Sequence, residues 1–304
     1  MMSQSEFYDK LCGVLSKEQV LCEEPMSRHT TFRTGGPADY FVTPRPEQAA
    51  DVVALCKKEQ MPYQIIGNGS NLLVGDRGIR GVTIAFTKPA AQIQVQGNQL
   101  KAGSGALLSQ AAAAAYQAGL GGMEFAAGIP GSVGGAVVMN AGAYGGEIKD
   151  ILAHAVVLTR EGEVQRLDGM QLALSYRNSC IRERRMAVLE AVFLLKPTPA
   201  GEIQARMEEL KQKRIEKQPL EYPSAGSTFK RPQGYFAGKL IMDAGLAGCA
   251  VGGAQVSRKH CGFIINTGGA VSADILHLIH HVQQTVKNKF GVALEPEVRC
   301  IGEF

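Results

Sequence analysis

Three short segments carry side chains suited to moving protons and steadying charge. In Ser224-Ala225-Gly226-Ser227-Thr228-Phe229-Lys230, Ser227 sits between a glycine and a β-branched residue, with a cation three places on. That setting can fix a hydroxyl in a cleft for proton transfer, although most such serines are turn or cap residues. Arg177 in Ser175-Tyr176-Arg177-Asn178-Ser179 offers a planar, two-pronged donor for a carboxylate. Its alternative is a surface ion pair with the nearby Glu183. Glu297 follows Pro296 in an apolar run near the C-terminus, Leu294-Glu295-Pro296-Glu297-Val298. A carboxylate pointing inward there requires a partner, as a buried ion pair or as a site residue. His277 and His281 have the i, i+4 spacing of a metal pair, but no acidic residue joins them and apolar residues surround them. A partly exposed helix face is the expectation, with no metal site. His29, His154 and His260 are isolated and carry no pattern.

Two glycine-rich stretches are the other chemical resource. Gly119 to Gly146 reads GLGGMEFAAGIPGSVGGAVVMNAGAYGG, and 65–74 reads IIGNGSNLLV. Glycine loses more backbone entropy on folding than any other residue, so such density needs a reason. Tight bends are one. Close backbone approach to a ligand is another, because successive exposed N–H groups form an anion cradle suited to a pyrophosphate. The longer stretch contains no Lys or Arg, so a phosphate there is held by amides. It lacks the lysine of a P-loop, and Gly131-Ser132-Val133-Gly134-Gly135 does not fit GxGxxG. Two amide-rich loops in separate parts of one chain suit a long ligand gripped at two places, such as a dinucleotide.

The elements that must position these residues follow from periodicity and punctuation. Residues 5–22 read as an amphipathic helix. A strand at 38–43, a helix at 47–60 opened by Pro46, a strand at 63–66, the first glycine loop, and strands at 72–74 and 82–84 form one α+β unit. A hairpin follows at 93–95 and 100–102 across Gly97-Asn98. A helix at 107–118 is capped by Gly119, and strands at 155–159, 163–167 and 188–195 complete a second unit. A charged, solvated helix runs from Ala200 to about Lys217. It leads to a third unit with a helical segment at 237–248, a strand at 262–266, a helix at 272–290 with Ser272 as its N-cap, and a final strand. The domain boundaries expected are 1–86, 87–198 and 199–304.

Composition restricts the class of function. A length of 304 residues allows several domains, and 45% hydrophobic with 20% charged residues is ordinary for a globular protein. A net charge of +4, spread without basic runs, gives no footprint for nucleic acid, though a polyanionic small substrate suits it. No apolar run is long enough to span a bilayer, and no signal pattern opens the chain. Seven scattered cysteines without a CxxC argue against a disulfide framework and for a reducing compartment, with the cytoplasm as the expected location.

Taken together, TFRTGGPA (31–38), IGNGSNLLV (66–74), GIPGSVGGAVVMNAGAYGGE (128–147), SYRNS (175–179), SAGSTFKRP (224–232), AGKLI (237–241) and LEPEVRCIG (294–302) resemble the UDP-N-acetylenolpyruvoylglucosamine reductase family. The resemblance runs from about Thr31 to the C-terminus. It implies an α+β FAD-binding fold of the vanillyl-alcohol-oxidase (PCMH) type in two subdomains, with a third domain for a nucleotide sugar. It implies non-covalent FAD, since no histidine stands in the glycine loops, and NADPH as hydride donor. The expected FAD contacts are Gly67, Asn68, Gly69, Ser70, Asn71, Gly131, Ser132, Gly134, Gly135, Asn140 and Ala141. The implied reaction reduces an enolpyruvyl ether of UDP-N-acetylglucosamine to UDP-N-acetylmuramate for peptidoglycan, in a cytoplasmic enzyme expected to be a monomer. Arg177 and Glu297 match the residues that steady the enolate, and Ser227 matches the serine that protonates it. A serine hydroxyl is a weak acid that needs such a basic acceptor. Tyr176, Lys230, Arg231 and Lys239 are the expected substrate contacts. Only 49 residues separate Arg177 from Ser227, which marks the shorter subclass without an inserted tyrosine lid. The competing reading is an oxygen-dependent flavoprotein oxidase of the same fold, acting on a carbohydrate or hydroxy acid.

Overall fold

The computed structural model describes residues 4–304. The chain divides into two compact units. One comprises the chain up to Cys22, Tyr40–Asn68 and Gly81–Gln212; the other comprises Glu23–Asp39, Gly69–Arg80 and Lys213–Phe304.

A four-stranded sheet has the order Val20–Pro25, Pro37–Val42, Ile79–Ala85, Tyr63–Ile66, and its last two strands run parallel. Helices Gln4–Val14 and Ala49–Lys58 contribute Phe7, Leu11, Val52 and Val53 to a core shared with Tyr40 and Val82. Phe7 meets Tyr40 edge-on at 5.1 Å between ring centres, a favoured aromatic geometry. The amphipathic helix expected over 5–22 is shorter: it ends at Val14, and Val20–Pro25 is a strand. Gln19 explains the change. Its side-chain oxygen accepts from Ser16 N–H at 3.0 Å, and its amide donates to Thr43 O at 2.8 Å. The chain is thereby turned and enters the sheet beside Thr43, whose N–H bonds Gln19 O.

The first unit also holds a five-stranded antiparallel sheet, ordered Val164–Asp168, Leu152–Leu158, Ala187–Leu194, Gln99–Gly103, Ile93–Gln96. Its edge hairpin turns at Gly97 (φ +58°), as the Gly-Asn pair requires. Helix Leu108–Gln117 buries Ala111, Ala112 and Ala115 against Leu100 and Phe193, and ends before Gly119 (φ +67°). The glycine-rich stretch contains a helix that its composition conceals, Val133–Met139. Gly134 lets this helix approach the sheet, because a Cβ there would come 2.8 Å from Ser104 Cβ.

In the second unit, Leu72–Val74 pairs in parallel with Arg299–Ile301. Ala250–Val251, Ala254–Val256 and Ile264–Asn266 form a small antiparallel sheet, of which only the last strand was legible in the sequence. Helices Ala237–Asp243 and Ser272–Phe290 cover it with Ile241, Ile275, Leu278 and Val282, packed with Phe32, Phe229 and Ile264. Ser272 is not the N-cap of the long helix; its hydroxyl is buried without a partner. Asp76 does that work, taking the N–H of Ser272 at 2.7 Å and of Ala273 at 2.9 Å. Among the described residues, no helix is long and apolar enough to cross a membrane.

Candidate active site

In the first unit Gly67 and Asn68 meet the longer glycine stretch. A Cβ on Gly67 would fall 2.4 Å from Ser132 Oγ, and Asn68 donates its side-chain amide to Pro130 O at 2.6 Å. Ser132 is the N-cap of helix Val133–Met139, its hydroxyl accepting from Gly135 N–H at 3.4 Å. The amides of the longer loop are partly spent on the fold. Val133 N–H bonds Ala106 O at 2.8 Å and Gly134 N–H bonds Ser104 O at 2.9 Å. The N–H groups of Gly131 and Ser132 reach no acceptor among the described residues, and neither do those of Asn68, Gly69, Ser70 and Asn71. Gly69 is buried, with φ +63° and no room for a Cβ, which would lie 1.9 Å from His29 O. Buried N–H groups in a folded protein nearly always find an acceptor, so the buried N–H groups of Ser132 and of Gly69 each await one.

Asn140 organises the rest of the stretch. It is fully buried in left-handed conformation (φ +43°) at the C-terminus of helix Val133–Met139. Its amide donates to Glu147 Oε2 at 3.0 Å and Ser175 O at 3.1 Å, and its carbonyl accepts from Lys149 N–H at 2.9 Å. Both amide hydrogens are thus committed to protein acceptors. Ala141 is likewise engaged, its N–H bonding Ala136 O and its carbonyl accepting from Ile148 N–H.

Through Ser175 O, Asn140 anchors the turn that carries Arg177. Ser175 and Asn178 exchange N–H···O bonds of 3.1 and 3.2 Å across Tyr176 and Arg177, and Arg177 adopts φ +56°. A non-glycine residue in that region is strained unless its surroundings hold it. Ser179 contributes, donating its hydroxyl to Val138 O at 2.7 Å. Glu183 accepts from the Asn178 side-chain amide at 2.8 Å. Arg177 reaches Gly142 O at 3.4 Å and lies 5.2 Å from the centre of the exposed Tyr176 ring. Glu147 is held below its ordinary pKa by the Lys149 hydrogen bond first, with help from Asn140 and the Arg177 charge.

The second unit gathers Ser227, Glu297 and Asn71. The segment 224–230 runs extended between two others: Thr228 N–H bonds Gly262 O at 2.8 Å, Lys230 N–H bonds Glu295 O at 2.9 Å, and Thr228 O accepts from Glu297 N–H at 2.8 Å. Thr228 is fully buried and its hydroxyl accepts from Ile264 N–H at 3.1 Å. Asn71 completes the clasp, donating its side-chain amide to Glu297 O at 3.0 Å. Ser227 and Glu297 are both half-buried, so their side chains are supported yet reachable.

The expected substrate cations are engaged with protein groups. Lys230 pairs with Glu295, Lys239 pairs with Asp243 at 2.9 Å on an exposed helix face, and Arg231 stacks over Phe236 at 3.9 Å. Such exposed pairs are worth little and exchange readily for a ligand's phosphates. His260 is the residue that sequence reasoning passed over. Its ring nitrogen Nδ1 accepts from Gly262 N–H at 3.1 Å, beside Ser227.

Comparison with known proteins gives this arrangement a class first. A family model described as an FAD binding domain matches residues 38–168. In the solved structures, a Phl p 4 variant described as a glucose oxidase shares the fold at TM-score 0.53 and 14% identity, covering 64% of this chain and 44% of its own. A second model, the C-terminal domain of UDP-N-acetylenolpyruvoylglucosamine reductase, matches residues 218–301. The reductase of that name from Agathobacter rectalis is 58% identical, covering 94% of this chain and 95% of its own. The crystal structure of the Thermus caldophilus reductase matches with TM-score 0.79 at 34% identity, covering 92% and 97%. The chain belongs to the UDP-N-acetylenolpyruvoylglucosamine reductase family.

Proposed function

We propose that this chain is a cytoplasmic, monomeric FAD-dependent reductase that converts UDP-N-acetylglucosamine enolpyruvate to UDP-N-acetylmuramate with NADPH, for peptidoglycan synthesis. When bound, FAD supplies two-electron chemistry, carrying a hydride equivalent from NADPH to the enolpyruvyl carbon. The unspent N–H groups of residues 68–71, 131 and 132 hold its diphosphate, while Gly67, Gly134 and Gly135 keep the loops free of side chains. Asn140 and Ala141 act by shaping the backbone around them.

Hydride addition leaves enolate-like charge on the substrate. Arg177 meets that charge as a cation, and Glu297, as the carboxylic acid, donates a hydrogen bond. Ser227 then gives its hydroxyl proton to the adjacent carbon. The strained Arg177 turn, braced by Asn140 and Ser179, keeps the guanidinium from having to be organised during the reaction. Tyr176, Lys230, Arg231 and Lys239 contact the diphosphate and carboxylate, the three cations exchanging their present partners for substrate oxygens.

The observation that carries this reading is the backbone coupling of Ser227 to Glu297 through Thr228, which fixes a proton donor and a carboxyl group on neighbouring segments. An anaerobic titration tests it. In Ser227→Ala, NADPH bleaches the flavin at the parent rate, and recovery of its colour on adding the enolpyruvyl sugar is abolished. Unimpaired recovery refutes the role of Ser227. Rapid recovery with oxygen but none with the enolpyruvyl sugar, in the parent enzyme, points instead to an oxidase.

A further inference from the structure

His260 lies in the loop segment Ser257–Phe263, which backbone bonds close from Ser257 N–H to Phe263 O and from Phe263 N–H to His260 O, both at 2.9 Å, and which side chains brace further. Ser257, almost fully buried, accepts through its hydroxyl from Lys259 N–H at 3.2 Å and His260 N–H at 3.3 Å. The His260 ring meets Phe263 edge-on at 4.9 Å. Its Nδ1 accepts from Gly262 N–H at 3.1 Å, so that nitrogen carries no proton and the neutral ring bears its hydrogen on Nε2. Burial lowers the pKa of the ring, which favours this neutral form.

Gly262 is where the ring and the proposed proton donor converge. A Cβ there would stand 2.9 Å from His260 Cε1, 3.1 Å from Nδ1 and 3.3 Å from Ser227 Oγ. The same glycine accepts from Thr228 N–H at 2.8 Å, and Thr228 O in turn holds Glu297 N–H at 2.8 Å. From the other side helix Ala237–Asp243 presses in at Gly238, where a Cβ would meet Gly262 N at 3.1 Å and His260 Cε1 at 3.4 Å. Thr228, the neighbour of Ser227, and His260 thus both bond Gly262, the first at its carbonyl and the second at its N–H. Among the described residues, the side-chain acceptor on the Gly262 N–H is His260 Nδ1.

We propose that His260 is a positioning residue for the second half-reaction: by holding Gly262 N–H through Nδ1, it sets the distance between the Ser227 hydroxyl and the carbon it protonates. This rests on the reading of Ser227 as proton donor. His260 exchanges no proton with substrate. Removing its acceptor frees Gly262 to shift, and displacements near 1 Å at a reacting centre cost ~100-fold in rate.

The test uses two amide replacements of similar size. In His260→Asn the side-chain oxygen falls where Nδ1 was and retains the acceptor; in His260→Gln it falls near Nε2 and does not. The flavin-loaded enzymes are reduced with NADPH without oxygen, then mixed with the enolpyruvyl sugar. Asn is expected to reoxidise within about threefold of the parent rate, and Gln ~100-fold slower. Both should keep the parent rate of flavin reduction and the parent KM for the sugar. His260→Ala, which removes the acceptor without adding bulk beside Ser227, should show the Gln behaviour and serves if His260→Gln does not fold. Equal rates for Asn and Gln, or losses that fall on both half-reactions alike, overturn the proposal. Ser227→Ala is run beside them. If it reoxidises normally, the donor assignment and the positioning role fall together; if it is inactive while the His260 variants match the parent, the positioning role alone falls.

Discussion

Replacing Gly67 with alanine tests how the two glycine loops are joined. Gly67 does not sit at positive φ, so alanine brings no backbone strain there. The obstacle is local: the new methyl would lie 2.4 Å from Ser132 Oγ, with Gly135 N and Ser132 Cβ next at 3.7 Å. Either the loops part or the Ser132 hydroxyl swings away and releases Gly135 N–H. Overpacking of this kind costs about 1–3 kcal/mol. Ser132→Ala alone removes the cap bond, which at 3.4 Å is long, for a loss of about 0.5–1 kcal/mol. In the double variant the clash is gone and the nearest atoms are at ordinary contact distance. Its cost should then approach that of Ser132→Ala by itself, a coupling of roughly 1–3 kcal/mol in the cycle, equal to the cost of Gly67→Ala. Urea unfolding of the flavin-free protein, followed by circular dichroism with the slope m unchanged, reads all three values. Costs that add to within about 0.5 kcal/mol refute the reasoning, because independent sites behave that way. Gly67 would then be small for the sake of the cofactor and not of Ser132.

Two further substitutions or modifications read other parts of the fold. Asp76→Ala should destabilise the protein by about 1–2 kcal/mol, since two N–H groups at the start of helix Ser272–Phe290 lose a charged acceptor; Asp76→Asn should recover part of it, and a neutral urea midpoint for alanine removes the capping role. The Cys56 thiol, fully buried and pushed up to about 12 by that burial, should stay unmodified by a disulfide reagent at pH 8 until urea unfolds the protein, whereas the exposed Cys22 reacts in the native state. Mass spectrometry of the labelled protein checks it, and native labelling of Cys56 contradicts the burial.

Long periodic elements were legible because their signal is local and repeated. Ile275, Leu278, Ile279, Val282 and Val286 announce the last helix, and all five are buried along it. Gly97-Asn98 announces its hairpin in the same way. The helix Val133–Met139 was not legible, since two of its seven residues are glycines, and the use of Gly134 is close approach to Ser104, a neighbour fixed only by the fold. The strand Val20–Pro25 was hidden for a related reason: the residue that ends the preceding helical pattern is Gln19, acting on Thr43, 24 positions away. Ser272 looked like a cap by position and type, yet the cap came from Asp76, 196 residues earlier in the chain.

The candidate site divides along the same line. Glycine loops and the motifs around Arg177, Ser227 and Glu297 can be seen as residue types, because chemistry constrains those types. What holds them cannot be seen, because the partners are mostly backbone groups: Ser175 O for Asn140, Gly262 O for Thr228, Glu297 O for Asn71. A peptide group has the same donor and acceptor whatever its side chain, so a residue whose work is to bind one leaves no paired signature in the sequence. His260 reads as isolated for that reason, its partner being the N–H of a glycine two residues away. The amides show the converse. Gly131 to Gly135 look alike as phosphate donors in sequence, but Val133 and Gly134 have already given their hydrogens to Ala106 and Ser104. Which amides remain for a ligand is thus decided by the strands and loops packed behind them. A glycine motif therefore identifies where backbone approach is possible, and the hydrogen bonds of the folded chain determine which of its N–H groups can act.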